Sequence, residues 1–168
     1  MKKIIVIGSG GAGKSTFSKR LGKSLGLDVI HLDRLYWKPN WVKTPKDEWP
    51  KIVEELLKGE SWIMDGNFGG TREMRMRACD TIIFLDIPRR VCLYRILKRF
   101  VVYRGRSRPD MTGGCNEKFD LEFLLWVWNY PNRTKPRLAA MLEQFKNEKT
   151  IIWLRSTKEI EDFFDNYS

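Results

Sequence analysis

Histidine is almost missing from this chain: His31 stands alone among 168 residues, and Cys79, Cys92 and Cys115 are the only cysteines, far apart and without a C-x-x-C spacing. These scarcities exclude a zinc site and a disulfide framework. The thiols are expected to be reduced, Cys79 and Cys92 packing as small hydrophobes, while Cys115, beside Gly113 and Gly114, is left open. No apolar run approaches the roughly 18 residues of a membrane span. The short one after Met1-Lys2-Lys3 ends at Gly8, so neither a signal peptide nor a membrane partner is expected, and the protein reads as cytoplasmic. Acidic residues are absent between positions 87 and 109. There Arg89, Arg90, Arg95, Lys98, Arg99, Arg104, Arg106 and Arg108 hold +8 of a net charge of +10. Charge gathered in that way suits a local phosphate clamp as well as a nucleic-acid face. The length suits one domain over residues 1–168, with no repeat or linker.

What is present begins with KIIVIGSGGAGKST. Ile4 to Ile7 read as a buried strand running into Gly8-Ser9-Gly10-Gly11-Ala12-Gly13-Lys14-Ser15, which matches G-x-x-x-x-G-K-[ST] at every fixed position. In such a loop, successive backbone N–H groups face phosphate oxygens at the positive end of the following helix. Lys14 is then expected on the β- and γ-phosphates of ATP and the Ser15 hydroxyl on Mg²⁺.

Strands are expected at Asp28–Leu32, Ser61–Met64, Thr81–Leu85 and Thr150–Leu154 after the first. Helices are expected over residues 14–25, from Thr44 to about Lys58 with Thr44 as cap, around Thr71–Arg77, from Pro88 to about Tyr103, over Asp120–Tyr130 halted by Pro131, over Arg133–Lys146 and over Lys158–Phe164. Tyr36, Trp37 and Trp41 read as part of a loop too polar and proline-broken for a strand. In the 88–103 helix, Cys92, Leu93, Ile96, Leu97, Phe100 and Tyr103 are expected on one side, with Arg95, Lys98 and Arg99 on an exposed stripe. Trp126 and Trp128 are expected in or near the core. Residues 104–116, rich in glycine and proline between two helices, read as a mobile lid. Alternating strands and helices imply an α/β fold, a parallel sheet with helices on both faces. Asp33, Asp65-Gly66-Asn67, Asp86 and Arg155 then all fall just past the carboxyl ends of strands, where ligands gather. Asp86 reads as a helix cap and His31 as a packing residue. A GTPase is disfavoured: Asn132-Arg133-Thr134-Lys135 is followed by proline, so the aspartate of a guanine-reading N-K-x-D is missing.

The segments IGSGGAGKST, HLDRLYWKPNW, WIMDGNF, TIIFLDIPRRVCLYRILKR and RGRSRPDM…GC together resemble the nucleoside-monophosphate-kinase branch of the P-loop kinases. More narrowly, they resemble the small bacterial proteins called DNA topology modulation proteins, or adenylate-kinase-related kinases. The resemblance implies a three-layer P-loop kinase fold with a five-stranded sheet of order 2-3-1-4-5, use of ATP and Mg²⁺, and a phosphoryl acceptor whose identity it leaves open. Carried over by position, Gly8, Ser9, Gly10, Gly11, Ala12, Gly13, Lys14, Ser15 and Thr16 take the nucleotide phosphates and the metal, and Arg155 lies near the adenine. Asp33 faces the acceptor, or is an ordinary turn aspartate partnered by Arg34. Asp65, Gly66 and Asn67 match a D-G-x-P-R element, with Asn67-Phe68 replacing its proline and arginine. Arg72, Arg75 or Arg77 would supply the missing cation. Arg95 and Arg99 resemble the start of a kinase lid that Arg104, Arg106 and Arg108 complete, and arginine forks bind phosphate oxygens in pairs.

The resulting expectation is an ATP-dependent phosphotransferase, acting on a nucleotide or other small molecule held between Asp33, Asp65 and the loop of Tyr36, Trp37 and Trp41. Those aromatics would form an acceptor pocket or a subunit contact in a monomer or homodimer. The alternative is a nucleic-acid-binding protein whose basic helix tracks a backbone while tryptophans stack on bases.

Overall fold

Four branched apolar residues in succession, Ile4 to Ile7, send side chains to both sides of a strand, so that strand must be covered on both faces. The computed structural model describes residues 1–108 and 111–166, and in it all four are fully buried at the centre of a parallel sheet. Strand β1 (Lys3–Gly8) lies between β5 (Trp62–Asp65) and β6 (Thr81–Leu85), with β2 (Val29–His31) and β7 (Thr150–Leu154) at the edges. Numbered along the chain, the order is β2-β5-β1-β6-β7, which differs from 2-3-1-4-5. The difference arises in residues 37–43, expected as a loop. They form a separate two-stranded antiparallel ribbon, β3 (Trp37–Lys38) and β4 (Val42–Lys43), joined by a 3₁₀ turn at Pro39–Trp41. Proline excludes a central strand but not the two-residue arms of a ribbon. Its turn holds Asn40 at φ 61° and Trp41 at φ 59°, left-handed values that asparagine tolerates and tryptophan rarely adopts.

Side chains alternate across the sheet into two cores. Ile5, Ile7, Trp62, Met64, Ile82 and Phe84 pack with α3 (Trp49–Leu57), α4 (Gly69–Ala78) and α7 (Lys135–Phe145). Ile4, Val6, Ile63, Ile83 and Leu85 pack with α1 (Lys14–Leu25), α5 (Arg89–Tyr103) and α8 (Thr157–Asp165). Each fully buried Ile or Phe contributes about 1.5–3 kcal/mol, so a sheet covered on both faces is the rigid platform for the loops at its carboxyl edge. Helix α6 (Leu121–Arg133) reaches both cores through Tyr130 and Val127.

Several local expectations are corrected by tertiary contacts. Thr44 does not cap a helix: α3 starts at Trp49, and the buried Thr44 hydroxyl donates to the Tyr36 carbonyl at 2.7 Å. Strand β2 stops at His31, and Leu32–Tyr36 turns into a short helix, α2, with Asp33 in its first turn. Pro131 lies inside α6 and does not halt it. A proline there forfeits one helical hydrogen bond, only two residues before the helix ends. Asp86 caps no helix. Its carboxylate accepts from the Trp153 indole at 3.0 Å and pairs with the Lys135 ammonium at 2.7 Å, tying β6 to β7 and α7. Replacing Lys135 with methionine should cost about 1 kcal/mol, readable as a lower urea midpoint at unchanged slope.

The three cysteines are free and buried, Cys115 among them. Burial pushes the Cys79 thiol up to about 12, and Cys92 is raised for the same reason. Both therefore stay protonated and unreactive at neutral pH.

Candidate active site

The loop between β1 and α1 is shaped by contacts that leave no room for side chains. A Cβ on Gly10 would stand 2.4 Å from the Phe123 ring, and one on Gly11, at φ +74°, would stand 2.4 Å from the Cys92 carbonyl oxygen. Helices α5 and α6 thus press the loop into its curl, and glycine is the residue that permits it. Ala12 is fully buried and Ser9 nearly so. Lys14 donates to the carbonyls of Gly8 at 3.1 Å and Ser9 at 2.8 Å. Burial pulls its ammonium below the ordinary lysine value, with Asp33 and Asp65 acting in the opposite sense and Arg99 in the same.

Below and beside the loop, the ends of β2 and β5 carry acids into different roles. Asp33 lines the cleft. Asp65 is buried and accepts or shares a hydrogen bond with His31 Nδ1 at 2.8 Å, the two facing each other across the β2–β5 register. The sole histidine is thus a partner of the strand-end carboxylate. Asn67 accepts from the Gly8 N–H at 3.3 Å through its side-chain oxygen, joining the D-G-N turn to the phosphate loop. Arg75 is fully buried and does not line the cleft. Its fork donates to the carbonyls of Gly66 at 3.0 Å, Asn67 at 3.4 Å and Phe68 at 3.1 Å, and Arg72 donates to Asn67 at 3.1 Å. Burial and the neighbouring Arg72 push the Arg75 guanidinium down to about 10, where it remains charged at neutral pH.

The basic helix is rotated relative to the expected stripe. Arg95 and Arg99 are half-buried and line the cleft on the side of Cys92 and Ile96, whereas Tyr94, Leu97 and Val101 are exposed. Arg95 donates to the Ala12 carbonyl at 3.3 Å and to the Thr157 hydroxyl at 3.2 Å, so it braces the phosphate loop against α8. From the expected lid, Arg108 lines the cleft, while Arg104 and Arg106 are exposed and outside it; Pro109 and Asp110 lie outside the described residues. Glu117 pairs with Arg99 at 3.0 Å and with Arg108 at 2.9 Å.

The segment after those two residues rests on the aromatic ribbon. The Thr112 hydroxyl donates to the Arg34 carbonyl at 2.6 Å, the Asn40 N–H to Gly114 at 3.1 Å, and the Trp41 indole to Asn116 at 2.9 Å. These elements enclose a cleft of about 920 Å³ whose wall, besides the arginines above, holds Gly10, Gly11, Gly13, Lys14, Ser15, Thr16, Asp33, Trp37, Trp41 and Asn67 of the residues expected from sequence. Gly8, Ser9, Ala12, Tyr36, Asp65, Gly66 and Arg155 are not on its wall. Tyr36 packs edge-on against Trp37 and Trp49, and the Arg155 guanidinium lies over the Trp153 ring. Sequence reasoning missed Lys43, Lys118, Phe123 and Trp126 as wall residues. Trp126 and Trp128 are 37% and 42% exposed and belong to no core; the alternation of apolar residues in α6 holds no signal that separates a cleft wall from a core.

Among the described residues no group of three or more His, Cys, Asp or Glu side chains is placed to hold a metal ion, and no helix is long and apolar enough to cross a membrane. The glycine cradle, the Lys14 ammonium and the Ser15 and Thr16 hydroxyls nevertheless suit a metal–nucleotide complex, in which the phosphates supply metal ligands themselves.

No protein-family profile matches the chain, and no curated protein matches it. Solved structures do. A gluconokinase from Sinorhizobium meliloti 1021 superposes with a TM-score of 0.56 at 13% sequence identity, over 99% of this chain and 89% of that one. At that identity the likeness is one of fold, and it extends over nearly the whole of both chains: the protein shares an α/β fold with that gluconokinase, built on a five-stranded parallel sheet.

Proposed function

We propose that this protein is an ATP-dependent kinase that moves the γ-phosphoryl group of MgATP to a small anionic acceptor bearing a planar ring, a nucleotide being the best chemical fit. The single observation that carries the reading is one cleft shared by the phosphate loop with Lys14, the carboxylate of Asp33, the arginines Arg95, Arg99 and Arg108, and the tryptophans Trp37 and Trp41. The resemblance to nucleoside-monophosphate kinases and DNA topology modulation proteins supports it, as does a fold shared with a gluconokinase.

Phosphoryl transfer asks a protein for positioning and charge neutralisation more than for covalent chemistry. The acceptor oxygen bonds to the γ-phosphorus as the bond to the β–γ bridging oxygen breaks and ADP leaves; where that oxygen is a hydroxyl, its proton passes to the Asp33 carboxylate. Lys14 and the loop N–H groups hold the β- and γ-phosphates. Ser15 and Thr16 would hold Mg²⁺, which when bound offsets charge on the phosphate oxygens. Asp33 orients the attacking oxygen, and Arg99 and Arg108 face the charge that spreads over the moving group. Trp37 and Trp41 offer ring faces. Lys43 lies 6.0 Å over Trp37 and Lys118 5.8 Å over Trp41, so a stacked ring and a nearby anion would both find partners.

Turnover of MgATP with nucleosides, nucleotides and sugar acids tests the proposal. One class of acceptor should raise ADP release far above plain hydrolysis, and Asp33→Asn should lower that rate by roughly 10²-fold. If no acceptor exceeds hydrolysis, the reading is wrong. The exposed Arg104 and Arg106 favour nucleic acid as a second reading: short DNA bound with a steep salt dependence that weakens on removing those two arginines would carry it.

A further inference from the structure

We infer that Glu117 is a positioning residue for phosphoryl transfer: its carboxylate sits between Arg99 of α5 and Arg108 of the following segment and sets both guanidinium groups toward the cleft. The inference rests on the kinase reading above for its catalytic consequence, but its geometry stands apart from it.

Glu117 is 8% exposed, among the few buried charged residues of the chain. One carboxylate oxygen accepts from Arg99 Nε–H at 3.0 Å, and the other stands 2.9 Å from Arg108 Nε as an ion pair whose N–H is not aimed along the contact. All three side chains line the cleft. The backbone fixes the carboxylate where it is. The Glu117 N–H donates to the Arg106 carbonyl at 2.9 Å, and the Gly105 N–H donates back to the Glu117 carbonyl at 3.4 Å. A bridge between Ser107 and Asn116 continues that pairing. Glu117 therefore sits on a short ribbon that brings the end of α5 back toward the cleft.

Two guanidinium groups brought together in a half-buried site repel each other, and long side chains lose considerable rotamer freedom when fixed. A carboxylate between them removes the repulsion and takes both in one arrangement. Without it, more of the ordering of both arginines would fall to an incoming phosphate, and part of its binding energy would go to that task. The residue before Glu117 also accepts the Trp41 indole N–H at 2.9 Å through its carbonyl. The same two positions thus fix the arginines and tie them to the aromatic ribbon on the acceptor side.

Glu117→Gln keeps the shape and one acceptor oxygen but turns an amide N–H₂ toward a cation, so it cannot hold both arginines. Glu117→Asp keeps the charge on a shorter stem. Arginine Nε–H signals, followed by ¹⁵N NMR, read the arrangement without any turnover. The Arg99 signal should be protected from exchange in the wild type, and both the Arg99 and the Arg108 signals should shift in Glu117→Gln and partly return in Glu117→Asp. For the reaction, Glu117→Gln should lower kcat by about 10- to 100-fold, with the acceptor KM shifted less than about threefold and partial rescue in Glu117→Asp. Unchanged Nε–H signals in Glu117→Gln overturn the inference. So does an unchanged or raised kcat, the latter because it would make Glu117 a competitor of phosphate. A wild type whose two signals depend on Glu117, yet which fails to bind the ATP analogue AMP-PNP with Mg²⁺ in calorimetry, refutes the kinase reading and leaves the positioning of the arginines standing.

Discussion

Replacing Lys14 with methionine is expected to lower phosphoryl transfer by roughly 10²- to 10³-fold, the range for removing one preorganised donor from a developing charge, while leaving the melting temperature within a few degrees. The two halves of this expectation come from opposite features of the residue. Its ammonium is desolvated, which holds its pKa below the unfolded value. A base whose pKa is depressed by folding is less stable in its charged form in the fold than in the unfolded chain, a cost that sets in as pH falls below the unfolded value and is complete below the folded one. Methionine removes it. The carbonyls of Gly8 and Ser9, which now accept from Lys14, lose a donor, and this offsets the gain. Stability therefore stays near the wild type while the reaction is lost. A thermal melt and a turnover assay on the same preparation read both. A variant that keeps more than about a tenth of the wild-type rate would show that the phosphates are held elsewhere.

Arg75→Met should destabilise the protein by about 1–3 kcal/mol, the range for leaving a buried hydrogen-bonding group without its partner. The guanidinium has no exposed surface and serves three successive carbonyls, those of Gly66, Asn67 and Phe68. Arg72 also reaches the Asn67 carbonyl, and the Thr71 N–H and hydroxyl reach that of Phe68, so the Gly66 carbonyl is the one that would lose its donor in a buried place, at about 1–3 kcal/mol. The loss should not stay local. Asn67 bonds the N–H of Gly8, the first glycine of the loop after β1, so a displaced D-G-N turn removes a support of the proposed nucleotide site. Urea unfolding should show the midpoint falling, and nucleotide affinity should fall with it. A variant with unchanged stability and only a raised acceptor KM would show that Arg75 meets the acceptor directly, and the buried clamp would be the wrong description.

The contrast between these two residues shows what was readable in the chain. Lys14 was legible because a phosphate loop is a local object: a branched strand, a glycine turn and a helix start in one run of fourteen residues, each with its own backbone preference. Arg75 was legible as a cation near the D-G-N element, but not as a buried one. Periodicity in Gly69–Ala78 cannot say that the helix lies with that arginine under a turn nine residues earlier in the chain. Arg95 and Arg99 teach the same lesson in the other direction. Their helix has apolar residues on more than one side, and an amphipathic reading sends the arginines to solvent. A charged cleft counts as an interior for Arg99 and as an exterior for Leu97, so a single hydrophobic face is the wrong template there.

The sequence by itself determined the five strands of the parallel sheet, the main helices between them and the glycine loop after β1, because those follow from short-range backbone preferences and from the apolar runs of a buried parallel sheet. Only the tertiary structure decided that residues 37–43 fold into an aromatic ribbon, that Asp65 turns inward to His31, that Arg108 enters the cleft while Arg104 and Arg106 do not, and that Glu117 stands between two arginines. Each of these depends on contacts between segments far apart in the chain or on the direction of one flexible side chain. No spacing encodes such choices; they are set by which neighbours desolvate a charge and which can pair with it.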